Sequence, residues 1–172
     1  MNLAIDDFAL FGLPRRFALD RPDLDARRRA LQAEVHPDRF AGAHATARRA
    51  AMQSAVRVNE AYERLKDPLK RAAYLCELAG APIGAEDNTA MPVEFLDRQM
   101  TWREALDDAS SQSDLEAIEQ DVARERQIAH ARLAQSLDGP RAIDEAVRQV
   151  RALMFVERFA GDVSDRLAAL ER

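Results

Sequence analysis

EVHPDRF, residues 34–40, is the stretch that decides how the first half of this chain folds. Pro37 pushes the residue before it out of the α region, so a helix arriving from the N-terminal side must end by Val35. Because Pro37 also fixes its own backbone, His36 and Asp38 are expected to project from a loop that is ordered before any partner binds. The stretch therefore separates two helices and holds a histidine and an aspartate between them.

Helical periodicity dominates the sequence on both sides of this loop. Apolar residues recur at i, i+3, i+4 and i+7, and alternating β-branched runs are absent, so the sequence predicts an all-α protein. We expect four helices in the first half: one over DDFALF that stops at Gly12 and Pro14, one from about Pro22 to Val35, one over 46–66, and one that begins with Asp67 as its N-cap and ends at Gly80. The third of these carries a helical stripe formed by Met52, Ala55, Val56, Asn59, Tyr62 and Leu65.

Residues 81–91, APIGAEDNTAM, contain a proline, a glycine and an Asp-Asn pair without periodicity, and they form the clearest linker in the chain. We therefore expect two domains, residues 1–80 and 92–172. Three helices are expected in the second domain, over 92–109, 113–137 and 140–171. A capping-box pattern at Ser113 to Glu116 would open the middle helix. An antiparallel three-helix bundle is the simplest arrangement that buries their apolar faces.

Composition narrows the functional classes. The chain has 172 residues, of which 47% are hydrophobic and 32% charged, as in ordinary globular proteins. No long apolar run occurs, and the first residues carry acids where a signal peptide needs bases, so we expect a cytoplasmic protein without a membrane partner. Cys76 is the only cysteine, which excludes an intramolecular disulfide and a cysteine-based metal site. We expect no cofactor.

The two halves differ in charge. Residues 1–80 carry 14 Lys and Arg against 11 Asp and Glu, whereas residues 81–172 carry 11 against 19. This asymmetry indicates that the halves meet different partners. Nucleic acid is not an expected partner, because the basic half has neither zinc-finger spacing nor a basic stripe interleaved with aromatic residues.

The His-Pro-Asp segment allows three interpretations: a catalytic pair, a metal site or a recognition loop. A catalytic His-Asp pair needs a nucleophile, and the sequence has no nucleophile elbow and no phosphate-binding glycine loop. His44 and His130 show no ligand spacing to His36. A plain turn is the simplest alternative, but the position between two helices, after the basic residues 27–29, favours recognition. A small helical enzyme that uses His36 and Asp38 as acid and base is the least favoured hypothesis.

Residues 1–80 resemble a J domain, the module with which a co-chaperone stimulates ATP hydrolysis by a DnaK-type chaperone. The resemblance is carried by DDFALFGLP, the His-Pro-Asp loop, VNEAYERLKDP and LKRAAYL. It implies a helical hairpin with short flanking helices. The implied chaperone-binding residues are His36, Pro37, Asp38, Arg39, Arg27, Arg28 and Arg29. For the three consecutive arginines, a merely solvated helix face is the alternative.

The first helix of the second half carries a possible partner surface. At about 100° per residue, Phe95, Trp102, Leu106 and Ala109 share one stripe, which is the natural core face. Leu96 and Met100 lie beside it among acids, so they belong either to a wide core stripe or to an exposed surface. In RALMFVERF, residues 151–159, the apolar residues are too many for one face of a bundle helix, and we expect one of them to be exposed.

FLDRQMTWREALDD and ALMFVERF, together with FALFGLPRRFALD near the N-terminus, resemble the HscB family from end to end. Members of this family are J-domain co-chaperones of bacterial iron-sulfur cluster assembly. The resemblance implies that the C-terminal bundle binds an IscU-like scaffold protein and delivers it to an HscA-like chaperone. The implied scaffold-binding residues are Leu96, Asp97, Met100, Thr101, Glu104, Asp108 and Phe155. A J-domain protein with a different client is the alternative.

Overall fold

The computed structural model describes residues 5–40, 42–84, 93–140 and 142–170. Within them the chain forms α1 (Asp7–Leu10), α2 (Arg21–Val35), α3 (Ala45–Lys66), α4 (Pro68–Leu78), α5 (Val93–Asp108), α6 (Gln112–Asp138) and α7 (Ile143–Leu170), with one 3-10 turn, Pro37–Phe40, after α2. None of these residues forms a strand, and the all-α prediction is confirmed. No helix in the described ranges has the length and apolarity that crossing a bilayer requires.

The chain divides into two compact units, Met1–Leu75 and Cys76–Arg172. The division falls inside α4, a few residues before the position expected from the sequence. Of the expected linker, residues 81–84 are described, and residues 85–91 lie outside the described residues.

An antiparallel pair of helices, α2 and α3, forms the centre of the first unit. Contacts near the start of α2 reach the end of α3: Arg21 Nη2 donates to the Tyr62 hydroxyl at 2.9 Å. Contacts near the end of α2 reach the middle of α3: Gln32 Nε2 donates to Asn59 Oδ1 at 2.8 Å. The core of the first unit contains apolar side chains that are almost fully buried, and each contributes roughly 1.5–3 kcal/mol through burial. The largest of these are Phe8, Leu24, Val58 and Leu65.

The buried face of α3 differs from the stripe expected from the sequence. The buried residues are Ala51, Ser54, Val58, Ala61, Tyr62 and Leu65. Met52 and Val56, which belonged to the predicted stripe, are 61% and 51% exposed. The stripe was wrong at these positions because small residues form much of the buried face, where they let neighbouring helices approach closely.

The short helix α1 depends on a buried carboxylate for its attachment. Asp7 is fully buried and forms ion pairs with Arg57 at 2.6 Å and Arg64 at 2.9 Å, both from α3. Its backbone N–H donates to the Tyr74 hydroxyl of α4 at 3.1 Å, and the Tyr74 ring stacks on Phe8 at 6.0 Å. Four residues are too few to form a stable helix alone. These tertiary contacts therefore hold α1 in place.

Two helix N-termini test the capping predictions. Asp67 caps α4, since its Oδ1 accepts from the N–H groups of residues 69 and 70, and this prediction is confirmed. The capping box of α6 lies at Ser111, not at Ser113. The Ser111 hydroxyl accepts from the Asp114 N–H at 3.2 Å, and Asp114 Oδ2 accepts from the Ser111 N–H at 2.9 Å. The prediction was wrong because Asp114, three residues after Ser111, completes the same box two residues earlier.

The second unit is an antiparallel three-helix bundle, as predicted. Helices α6 and α7 run in opposite directions: Arg126 pairs with Glu157 at 2.7 Å, and Ser136 contacts Gln149 at 3.2 Å. Helix α5 runs parallel to α7, because the earlier aromatic ring of α5 contacts the earlier ring of α7 and the later ring contacts the later one. The pairs are Phe95 with Phe155, whose centroids are 5.6 Å apart, and Trp102 with Phe159, at 5.2 Å.

Candidate functional site

The His-Pro-Asp segment stands where α2 ends. Val35 is the last helical residue, and its side chain is buried. His36 has φ −60° and ψ 129°, the extended conformation expected for a residue that precedes proline. The prediction that α2 ends before His36 is therefore confirmed. The chain then makes a single 3-10 turn, which fixes the direction in which the following side chains point.

His36 and Asp38 contact each other and remain open to water. The Asp38 N–H donates to His36 Nδ1 at 3.3 Å, and Asp38 Oδ2 lies 3.5 Å from the same nitrogen. The two side chains are 57% and 89% exposed. The pair presents an imidazole ring and a carboxylate outwards, as a recognition element does.

The arrangement does not favour catalysis or metal binding by this pair. A general base works on a substrate held within hydrogen-bond distance, and side chains this exposed form no walls that would hold one. In the part of the chain that the structure describes, no three His, Cys, Asp or Glu side chains come together in a way that could hold a metal ion.

Arg39 and Arg27 serve the fold of the first unit as well as its surface. Arg39 Nη1 donates to the Ala33 carbonyl at 3.1 Å, so it satisfies a carbonyl in the last turn of α2. Arg27 pairs with Asp23 at 2.9 Å, and its Nη1 also donates to the carbonyls of Phe11 and Gly12 at 2.9 Å. Arg27 thereby ties the turn after α1 to α2.

Arg28 and Arg29 have different surroundings, although they are neighbours in sequence. The Arg28 guanidinium lies 4.2 Å from the centre of the Tyr62 ring, a cation-π contact within the helical hairpin. Arg29 is exposed, and within the described residues it makes no hydrogen bond or ion pair. Of the three consecutive arginines, Arg29 is therefore the one whose guanidinium is most available to a partner.

Sequence analysis missed a basic cluster around Tyr62. Besides Arg28, the Arg21 guanidinium and the Lys66 ammonium each lie 5.4 Å from the ring centre. The Tyr62 hydroxyl donates to Asp25 at 2.8 Å, and this hydrogen bond holds the pKa of the Asp25 carboxyl below its usual value. The signal in the sequence was the seven-residue spacing of Arg21 and Arg28, which places both on one face of α2.

The predicted scaffold-binding residues of α5 lie together on its outer face. Leu96 is 45% exposed and Met100 is 62% exposed, which settles the alternative left open by the sequence in favour of a surface. The polar residues predicted for the same site are also exposed: Asp97, Thr101, Glu104 and Asp108. On the core face Trp102 is buried, as expected, while Phe95 and Leu106 are half-buried.

Phe155 of α7 extends this surface across to the neighbouring helix. It is half-buried, its ring meets Phe95 edge-on at 5.6 Å, and it stacks on Phe159 at 6.2 Å. Met154 is 43% exposed, which confirms that residues 151–159 hold more apolar side chains than the core can bury. The structure thus brings Phe155 beside the helix that carries Leu96 and Met100.

Known proteins resemble both a part of this chain and its whole length. A family model described as the HSCB C-terminal oligomerisation domain matches residues 91–164. The chain is 47% identical to the co-chaperone protein HscB homolog of Burkholderia mallei (strain SAVP1), over 99% of both chains.

Two solved structures resemble the whole chain. The chaperone HscB from Vibrio cholerae has a TM-score of 0.84 at 35% identity, covering 96% of this chain and 99% of that one. Human co-chaperone protein HscB has a TM-score of 0.87 at 26% identity, covering 99% of this chain and 84% of that one. These relatives are named as chaperones or co-chaperones and not as enzymes. The chain therefore belongs to the HscB family of co-chaperones, with a J domain followed by a helical C-terminal domain.

Proposed function

We propose that this co-chaperone binds an IscU-like iron-sulfur scaffold protein through its C-terminal bundle and stimulates the ATPase of an HscA-like, DnaK-type chaperone through its J domain. Cluster assembly and transfer would benefit, because one chain that binds both partners raises the effective concentration of each near the other. The proposal includes a cytoplasmic setting and two domains, residues 1–80 and 92–172. The observation that carries it is an exposed recognition surface on each unit.

The chaperone surface is centred on His36 and Asp38. Both side chains are accessible, and the turn that carries them is anchored by the hydrogen bond from Arg39 to the end of α2. An anchored loop loses little conformational entropy on binding. Arg29 and, nearer the start of α2, the cations around Tyr62 place positive charge along this helical hairpin, which would orient the first unit towards an acidic partner and speed their encounter.

The scaffold surface is centred on Leu96, Met100 and Phe155. Large apolar side chains that stay exposed on a bundle helix indicate a binding surface when they are grouped. Here they are grouped and bordered by exposed acids. The expected pattern is an apolar centre that supplies affinity with a polar rim that supplies orientation. A J-domain protein with another client would use the same chaperone surface, so only the scaffold surface separates these two functions.

Stimulation of the chaperone can be tested with one substitution and a matched control. Steady-state ATP hydrolysis by an HscA-type chaperone should rise when the wild-type chain is added. His36→Gln should abolish the rise, because glutamine has no imidazole ring to present at this position. His44→Gln changes another exposed histidine and should leave the stimulation intact. Stimulation that survives His36→Gln would contradict the proposed role. Turnover of a small substrate by the isolated chain, lost in the same variant, would support the enzyme hypothesis.

Client binding can be tested by titration with an IscU-type scaffold protein. A triple variant, Leu96→Ala, Met100→Ala and Phe155→Ala, should bind at least a hundredfold more weakly, since truncating central apolar contacts commonly costs about 1–4 kcal/mol each. The control is Met52→Ala with Val56→Ala, which removes an equally exposed apolar pair from the first unit. Equal affinities of the wild type and the folded triple variant would show that this surface does not bind the scaffold protein. Absence of binding by the wild type would favour a different client.

A further inference from the structure

We infer that Arg103 is a specificity-determining residue of the scaffold surface and that it selects a partner that places a carboxylate next to an apolar side chain. This inference rests on the proposed function and adds a residue that the sequence analysis did not single out. Its basis is the position of Arg103 on α5, the contact of its guanidinium with Phe155, and its charge among acids.

Arg103 continues the line of exposed apolar residues on α5. It lies three residues after Met100 and seven after Leu96, and residues at these spacings share one helix face. Its guanidinium carbon lies 6.0 Å from the centre of the Phe155 ring. Arg103 therefore occupies the place where the surface of α5 meets that of α7.

The charge of Arg103 is opposite to that of its surroundings. Exposed acids on the same helix include Asp97, Glu104, Asp107 and Asp108. Among the described residues Arg103 nevertheless makes no ion pair, and its contact is with the ring of Phe155. A guanidinium that lies over a ring keeps the N–H groups at its edge available, and these can donate two parallel hydrogen bonds to one carboxylate.

Binding of a partner would make this arrangement selective. A partner that covers Leu96, Met100 and Phe155 must also remove water from Arg103. A buried guanidinium without an acceptor is strongly unfavourable, so partners that lack a matching carboxylate would be rejected. The acids around Arg103 would at the same time favour a partner whose remaining surface is basic. The surface therefore fits a partner that presents an apolar side chain with one neighbouring carboxylate, surrounded by basic residues.

Isothermal titration calorimetry of a purified IscU-type scaffold protein with each variant tests the inference, because the direction in which the affinity changes distinguishes the alternatives. Arg103→Ala should weaken binding by about tenfold or more, the usual effect of losing a hydrogen bond to a charged group. Arg103→Glu should weaken it further. Arg103→Lys, which keeps the charge but not the planar fork, should fall between wild type and Arg103→Ala. If the scaffold contact were uniformly basic, Arg103→Ala would bind more tightly, and that result would overturn the inference.

Arg124→Ala is the matched control, because Arg124 is an exposed arginine of the same unit that pairs with Asp121 one turn away on α6. It should bind like the wild type. Unchanged affinity in Arg103→Ala together with a loss in the Leu96, Met100 and Phe155 triple variant would overturn the role of Arg103 and leave the proposed function standing. Failure of the wild type to bind the scaffold would instead refute the proposed function. Circular dichroism of each variant reports whether the bundle remains folded.

Discussion

Replacing Asp7 by asparagine should unfold the first unit at a much lower denaturant concentration while leaving the second unit unchanged. Asp7 is fully buried, and it balances the charges of Arg57 and Arg64, whose side chains are 21% and 43% exposed. Asparagine has nearly the same shape but no charge, so the substitution leaves two cations without a counter-ion. The free energy of unfolding of the first unit should fall by about 3 kcal/mol, near the lower end for breaking a buried ion pair, because both arginines can partly rehydrate.

Two spectroscopic signals distinguish the unfolding of the second unit from that of the whole chain. Trp102, the only tryptophan, is buried in the second unit, so its fluorescence follows the bundle, whereas circular dichroism at 222 nm follows all helices. With an m-value of about 1–2 kcal/mol/M, the loss at Asp7 should lower the urea midpoint of the first unit by roughly 1.5–3 M. The Trp102 transition should not move.

Asp23→Asn is the matched control, because Asp23 forms an ion pair with Arg27 at the surface, where both side chains are about 40% exposed. Surface pairs contribute about 0–1 kcal/mol, so the control should shift the midpoint little. A loss below about 1 kcal/mol in Asp7→Asn would show that the buried triad does not hold α1. An equal shift of the Trp102 transition would show that the carboxylate acts on both units and would refute the reasoning.

Four further outcomes follow from individual residues. Gly12 has φ +62°, a left-handed conformation that costs alanine about 1 kcal/mol. Gly12→Ala should therefore lower the melting temperature of the first unit, and an unchanged melting temperature would contradict this. Ser111→Ala should destabilise the bundle by about 1 kcal/mol and Ser113→Ala should not, because Ser111 is the N-cap of α6; equal melting temperatures would refute the assignment. Hydrogen bonds from the Ser111 hydroxyl and nearby N–H groups lower the pKa of Asp114 from its usual 3.8. The ionised carboxylate therefore contributes fully to the stability of the folded bundle above pH 3.8, and this contribution disappears as the pH falls through the lower pKa of the folded state. The stability difference between wild type and Asp114→Asn, measured by denaturant unfolding between neutral and acid pH, should therefore shrink on acidification. Burial raises the pKa of the Cys76 thiol to about 11, so iodoacetamide at pH 8 should label native protein far more slowly than urea-unfolded protein, and equal rates would show that the thiol is accessible.

Local signals in the sequence were sufficient for two of the helix ends. Pro37 ended α2 at Val35, and Asp67 began α4, because each effect depends only on the backbone of adjacent residues. The capping box failed at Ser113 for a related reason. Two serines two residues apart offered the same motif, and which one the helix uses depends on the acid that faces it.

Features that depend on distant residues could not be predicted from periodicity. Met52 and Tyr62 belong to neighbouring stripes of α3, and only the packing of α3 against other helices decides which stripe is buried. Leu96 was equally compatible with a wide core face and with an exposed surface, and only its exposure of 45% in the folded chain decides between them. The position of Arg27 depended on the carbonyls of the turn after α1, which no helical repeat encodes.

The attachment of α1 has a consequence for the order in which this protein forms during synthesis. Asp7 emerges early from the ribosome, but Arg64 follows 57 residues later and Tyr74 follows 67 residues later. At about 5–20 residues per second, the chain needs roughly 3–13 seconds between Asp7 and Tyr74. Helix α1 therefore cannot complete its docking until residues translated well after it have emerged. Until then the arginines that await Asp7 remain hydrated, and the N-terminal segment is accessible to other proteins.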